Sequence, residues 1–114
     1  MKLSEMQKII NATCLNECGE KEVKRACAAD LLSDVLAFTE SDTLLLTGMV
    51  HGQVIRTAEM LDLVGVVVVR GKNPSEEMLA LAKEKGIPLF STPLHMYQAV
   101  GQLYQAGLKG VEEK

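Results

Sequence analysis

A chain of 114 residues, 47% of them apolar, is long enough to bury a core without metal or disulfide staples, and its length fits one domain spanning residues 1–114. The net charge of −3 is spread without a basic block and only 4% of the residues are aromatic, which argues against a phosphate-tracking groove or base-stacking platforms; nucleic acid is not an expected partner. Its apolar runs are far too short to span a bilayer and its first residues lack a secretion-signal core, so a cytoplasmic protein with no membrane partner is expected.

Ser4, with Gln7 three residues on, forms a capping-box pattern that predicts a short helix to about Asn11. From Ala12 to Cys27 the pattern loosens around Cys18-Gly19-Glu20-Lys21, which predicts a hairpin or loop joining short strands at residues 13–15 and 23–27. Cys14, Cys18 and Cys27 fall in this segment. In a cytosolic chain thiols stay reduced, so no disulfide is expected. The first pair is separated by three residues rather than the two usual in zinc knuckles, and a fourth ligand is missing. The cysteines therefore read as small buried or half-buried thiols, and no metal or other cofactor is expected. Asp30 is placed to cap a second helix whose Leu31, Leu32, Val35, Leu36 and Phe38 supply an apolar stripe.

Three units with one grammar follow, each an apolar run, a turn and a helical segment. The runs are residues 43–46, 64–69 and 87–90. The middle one, VGVVVV, is β-branched on both faces, the pattern of a strand covered on both sides, and should be central in the sheet. Asn73-Pro74-Ser75-Glu76 offers a cap, a proline at the first helical position and an acid at the third, and that helix ends at Lys83, Lys85 and Gly86. Thr92-Pro93 repeats the device before a last helix carrying Met96, Ala99, Val100, Leu103 and Tyr104. Residues 109–114 read as a frayed tail. Strands alternating with helices predict an α/β fold: a mainly parallel sheet sandwiched between helices in three α/β/α layers, with an N-terminal hairpin or edge-strand addition.

In such sheets ligands gather beyond the carboxyl ends of the strands. Three turns should converge there, carrying Thr47, Gly48, Met49, His51 and Gln53; then Arg70, Gly71 and Lys72; then Ser91, Thr92 and His95. Two cations, two imidazoles and several hydroxyls in one rim suit a small anionic molecule. Each residue also has a structural reading: the glycines for backbone geometry, Thr92 as a cap, Arg70 and Lys72 as solvated charges. No catalytic constellation accompanies them. Gly48-x-x-x-Gly52-Gln53 has one residue too few for a phosphate loop and a Gln where the lysine belongs. There is no Gly-x-Ser-x-Gly elbow and no His-x-x-x-His pair, and His51 and His95 lack a nucleophile or carboxylate partner. A non-enzyme is expected.

The phrases DLLSDVLA, QVIRTAEML, VRGKNPSEEMLALA and GIPLFST, in that order between Asp30 and Leu108, resemble the DRTGG domain family, especially its small stand-alone members. The five eponymous letters are absent, so the likeness rests on the whole pattern. It implies a fold similar to the N-terminal domain of HPr kinase/phosphorylase and a regulatory or accessory role. Relatives accompany phosphotransacetylase domains, sit between CBS domains in some inorganic pyrophosphatases, or are encoded beside iron-only hydrogenase components. The kinase's phosphate loop belongs to a domain not present in this chain. The expected function is a non-catalytic sensor of a small anionic metabolite or nucleotide that acts through a homodimer or a metabolic-enzyme partner; the alternative is a ligand-free docking module.

Overall fold

The structure, a computed structural model, describes residues 1–111. In chain order the elements are α1 (Leu3–Ile9), β1 (Thr13–Cys14), β2 (Arg25–Ala28), α2 (Leu32–Phe38), β3 (Thr43–Thr47), α3 (Gln53–Leu61), β4 (Gly65–Val68), α4 (Glu76–Lys85), β5 (Leu89–Ser91) and α5 (Met96–Gln105). The strands form one sheet in the order β1-β5-β4-β3-β2, with β2 to β5 parallel and β1 antiparallel at the far edge. The β-branched run is the central strand, as its double-sided apolar pattern requires.

Side chains alternate across this sheet with the period of two that strands impose. One face buries Leu45, Val66, Val68 and Leu89 against Val35 of α2, Ile55 and Ala58 of α3, and Met78 and Ala82 of α4. The other buries Leu44, Leu46, Val67, Val69 and Phe90 against Leu3 and Met6 of α1 and Ala99 and Leu103 of α5. The result is the expected α/β/α sandwich. Strands β2 to β5 lie side by side in sequence order, and crossovers of one hand put all their helices on one face. Helix α5, after the last strand, goes to the opposite side, where it joins α1. The connections therefore part to opposite faces at one place, between the carboxyl ends of β4 and β5.

The first quarter of the chain departs most from expectation. Thr13 and Cys14 pair with Ser91 and Phe90 at one edge of the sheet, while residues 25–28 pair with residues 43–46 at the other. No hairpin joins them; the segment between crosses below the amino ends of the strands, where the Lys24 N–H donates to the Asp42 carbonyl (3.3 Å). The open edge of β5 supplies the reason, because its backbone groups need a partner and β1 provides one. Asn16 fixes that docking: its amide donates to the Ile87 carbonyl (2.8 Å) and its side-chain carbonyl accepts from the Leu89 N–H (3.0 Å). The tight bend around Asn16 brings Cys18 back onto Cys14, and the two form a disulfide, contrary to the reduced thiols expected; Cys27 is free.

Helix starts were the other weak point of the sequence reading. The first helix begins before Ser4: Lys2 is the N-cap and its N–H donates to the Glu5 carboxylate (3.3 Å), while the Ser4 hydroxyl turns to Glu20 (2.8 Å). Burial of Leu3 in the core moves the start forward. Helix α2 is capped by the backbone of Leu31, with Asp30 engaged elsewhere. Helix α4 is capped by Ser75 and not Asn73: the Ser75 hydroxyl accepts from the Met78 N–H (3.0 Å), and the Ser75 N–H is held by the Val50 carbonyl (2.8 Å), which keeps this residue extended and leaves Pro74 outside the helix. Its end at left-handed Gly86 is as expected. The start of the expected frayed tail is also tied down. The Ala26 N–H donates to the Lys109 carbonyl (2.9 Å) and Gly110 bridges to Ala26, over a buried Leu108. Residues 112–114 of that tail lie outside the described residues. Among the described residues no helix is long and apolar enough to cross a membrane.

Candidate ligand-binding site

Register places Thr47, Val68 and Ser91 in one row across three adjacent strands, on the side of α2, α3 and α4. Just past that row each strand ends, so the three turns do open at the same edge of the sheet. Leaving β3, the buried Thr47 hydroxyl closes its own turn by accepting from the Met49 N–H (3.1 Å). The Asp30 carboxylate, at the end of β2, then receives the Gly48 N–H (2.7 Å) and the Thr47 hydroxyl (3.3 Å). Lys72 reaches across from the next turn and donates to the Gly48 carbonyl (3.0 Å). Met49 packs against the core below the rim, whereas His51 and Gln53 are exposed at the start of α3.

Gly52 is the N-cap of α3, and the space explains the glycine. A Cβ there would meet the ends of the Glu77 and Leu81 side chains of α4, both of which would have to shift to admit it. Glu77 thereby lies against the positive end of the α3 dipole.

Leaving β4, Arg70 and Gly71 are both left-handed, each with φ of 65°. That conformation is cheap for Gly71 and strained for Arg70. The strain is held by two backbone bonds to the β5–α5 turn: the Arg70 N–H to the Leu94 carbonyl (2.7 Å) and the Gly71 N–H to the Thr92 carbonyl (2.9 Å). Those bonds cross the one place where connections part to opposite faces. Thr92 itself caps no helix. Its hydroxyl is fully buried, donates to the Ile10 carbonyl and accepts from the Leu94 N–H (3.2 Å), so it pins the end of α1 to the rim; the N-cap of α5 is His95, three residues on.

The structure thus groups Thr47, Gly48 and Lys72 around Asp30, and Arg70 and Gly71 with Thr92, with Ser91 half-buried beside them. His51 and His95 are exposed on the turns after β3 and β5, one strand apart, and no hydrogen bond joins them among the described residues. Sequence reasoning missed the two acids. Asp30 lies two residues past β2, and although its type suits a helix cap, an acid just past a strand is also where a rim residue falls. Glu77 had only the unexplained Gly52 to announce it. Among the described residues, no group of three or more His, Cys, Asp or Glu side chains is placed to hold a metal ion.

Fold and rim together define a small α/β/α domain of the type whose polar turns gather at the carboxyl ends of parallel strands. The chain belongs to the DRTGG domain family, whose model matches residues 5–106, carrying the likeness back from Asp30 through the strand-edge segment. Among solved structures it is similar to the CBS and DRTGG domains of the regulatory region of Clostridium perfringens pyrophosphatase, determined in complex with the activator diadenosine tetraphosphate. That likeness has a TM-score of 0.76 at 20% identity and covers 91% of this chain but 46% of the other, so this chain spans less than half the length of its neighbour. No curated protein matches it.

Proposed function

We propose that this chain is a non-catalytic regulatory domain that senses a small anionic metabolite or nucleotide at the rim and transmits occupancy through a homodimer or an enzyme partner in the cytoplasm. The observation that carries this reading is the left-handed Arg70–Gly71 pair, stitched to Thr92 and Leu94 where the chain connections diverge. Crevices at such divergences are where open α/β sheets take their ligands. Backbone strain held by neighbouring structure clusters at active sites, ligand clamps and switch regions, and among the described left-handed non-glycine residues Arg70 is the one on a rim turn. Lys72, His51 and His95 stand on the same or adjoining turns, and Ser91 and Thr47 bring hydroxyls. The nucleotide activator bound by the regulatory region of the pyrophosphatase supports the ligand class. The likeness to small free-standing family members supports an enzyme of hydrogen or energy metabolism as the partner.

A second reading, docking without a ligand, is favoured by exposed apolar side chains on α2, where Phe38 is 68% and Leu31 62% exposed. Thermal melting separates the two. A nucleotide or phosphorylated metabolite that binds only the native form raises the melting temperature. Diadenosine tetraphosphate, mononucleotides and inorganic phosphate form the first panel. Arg70→Ala and His51→Ala should abolish or reduce the shift. No shift with any of them, together with stable capture of a metabolic enzyme, decides for docking; equal shifts in both variants move the site away from the rim.

A further inference from the structure

Helix α5 is laid on the sheet by Ala99 and Leu103, both buried. Its outward side carries Tyr97, Val100, Gly101 and Tyr104 together with the exposed Gln98, Gln102 and Gln105; Tyr97 is 89% and Tyr104 59% exposed. None of the ten residues of this helix is charged, although 24% of the chain is. An exposed helix face ordinarily carries charged residues beside polar ones such as these glutamines. Gly101 adds a second anomaly. Among the described residues a Cβ built on it meets nothing within 4 Å, and its φ is not in the left-handed range, so neither packing nor backbone geometry there calls for glycine. Alanine would be the better helix former at that position.

Both anomalies are explained by a second copy of the chain. A surface that meets its own image across a two-fold axis places its own charges opposite themselves, so it must be neutral or self-complementary. Helix α5 carries no charge of its own to repel its image, and Lys109, which follows it, is engaged over the Tyr104 ring (5.0 Å). With a rise of about 1.5 Å per residue, Tyr97 stands about 6 Å to one side of Gly101 along the axis and Tyr104 about 4.5 Å to the other. Antiparallel pairing about Gly101 therefore brings each Tyr97 level with Tyr104 of the second copy, while the glycine leaves room for the helices to approach. Tyrosine is among the residues enriched in protein interfaces. An apolar groove lined by Ala26, Ala28, Val100, Tyr104 and Leu108 continues this face toward β2, adding area beyond one helix.

We propose that α5 is the self-association surface of this protein, two copies pairing antiparallel across Gly101 with their tyrosines interleaved. This deepens the regulatory reading and rests on it for its purpose: α5 begins directly after the Thr92–His95 turn, so the helix that meets the second copy is the one joined to the rim.

Sedimentation of the full chain from sub-micromolar to submillimolar concentration tests the pairing. Wild type should reach twice the 12.4 kDa protomer mass. Gly101→Leu projects into open space in the protomer, so the fold should be kept by circular dichroism while the dimer dissociation constant rises at least about tenfold. Tyr97→Glu should do the same, and Phe38→Glu, on α2, should leave the dimer intact. A wild type that stays monomeric throughout, or folded Gly101→Leu and Tyr97→Glu variants with the wild-type constant, overturns the proposal, as does a dimer that only Phe38→Glu dissociates. The rim stands or falls separately: a nucleotide-induced thermal shift in Gly101→Leu supports sensing whatever the oligomer, and a dimer without any such shift leaves the interface and removes the sensor.

Discussion

The rim and the outer face of α5 are opposites. At the rim the chain supplies its own partners: Asp30 takes the Gly48 N–H, Lys72 takes the Gly48 carbonyl, Glu77 faces the start of α3, and Thr92 satisfies both Ile10 and Leu94. On α5 two tyrosines and a glycine face outward with little of the described protomer against them; Lys109 stands over the Tyr104 ring, 5.0 Å from its centroid. Polar chemistry gathered in one place is thus not the same as an open site, since a good part of it here holds the turns in position. Apolar surface left without internal cover is the clearer mark of something that comes from outside.

This contrast can be broken or sharpened by substitution. The largest effect is expected from Thr92→Val, which keeps the shape but leaves the buried Ile10 carbonyl and Leu94 N–H without a partner; a loss of about 2 kcal/mol in urea unfolding is expected. A neutral result would mean the rim is less tightly knit than its bonds indicate. Asp30→Ala should cost about 1 kcal/mol, reduced by the exposure of the carboxylate. It should also enlarge the thermal shift given by inorganic phosphate, because the Gly48 N–H is then free to receive an anion; a smaller shift would make Asp30 part of the ligand's own support. Gly101→Ala should act in the other direction, stabilising the dilute protomer by about 0.5–1 kcal/mol through helix propensity. Its gain should vanish at concentrations where the dimer forms, and a gain that persists there would count against close helix approach. The smallest effect belongs to Glu59→Ala, which removes a half-exposed ion pair with Lys85 (3.3 Å) at the far ends of α3 and α4; about 0.5 kcal/mol or less is expected, a control for surface charge away from both regions.

How far the sequence disclosed this molecule depended on the range of the forces involved. The parallel core was legible because β-branched runs and helical stripes are local patterns: Val66 to Val68 declared a doubly covered strand, and Lys83-x-Lys85-Gly86 a helix end. The converging turns were legible for the same reason, since strand ends fix where loops open. What escaped was settled by distant contacts. Asp30 and Asn73 are sound caps by type, yet a Gly48 N–H 18 residues away claimed the first, and a Val50 carbonyl gave the second's role to Ser75. Thr92 went to Ile10 in the same way. The strands around residues 13 and 25 were visible as short apolar stretches, but no local signal told that each would seek a different edge of the sheet.

That separation has a consequence for synthesis. As the chain leaves the ribosome, residues 13–14 emerge well before the β5 edge they dock on, at Phe90 and Ser91. Contacts so distant in sequence carry a large loop-closure cost and form late. Of the five strands of this sheet, the one made before the others is therefore among the last to be seated, and until then the nascent protein exposes the sheet edge that β1 will close.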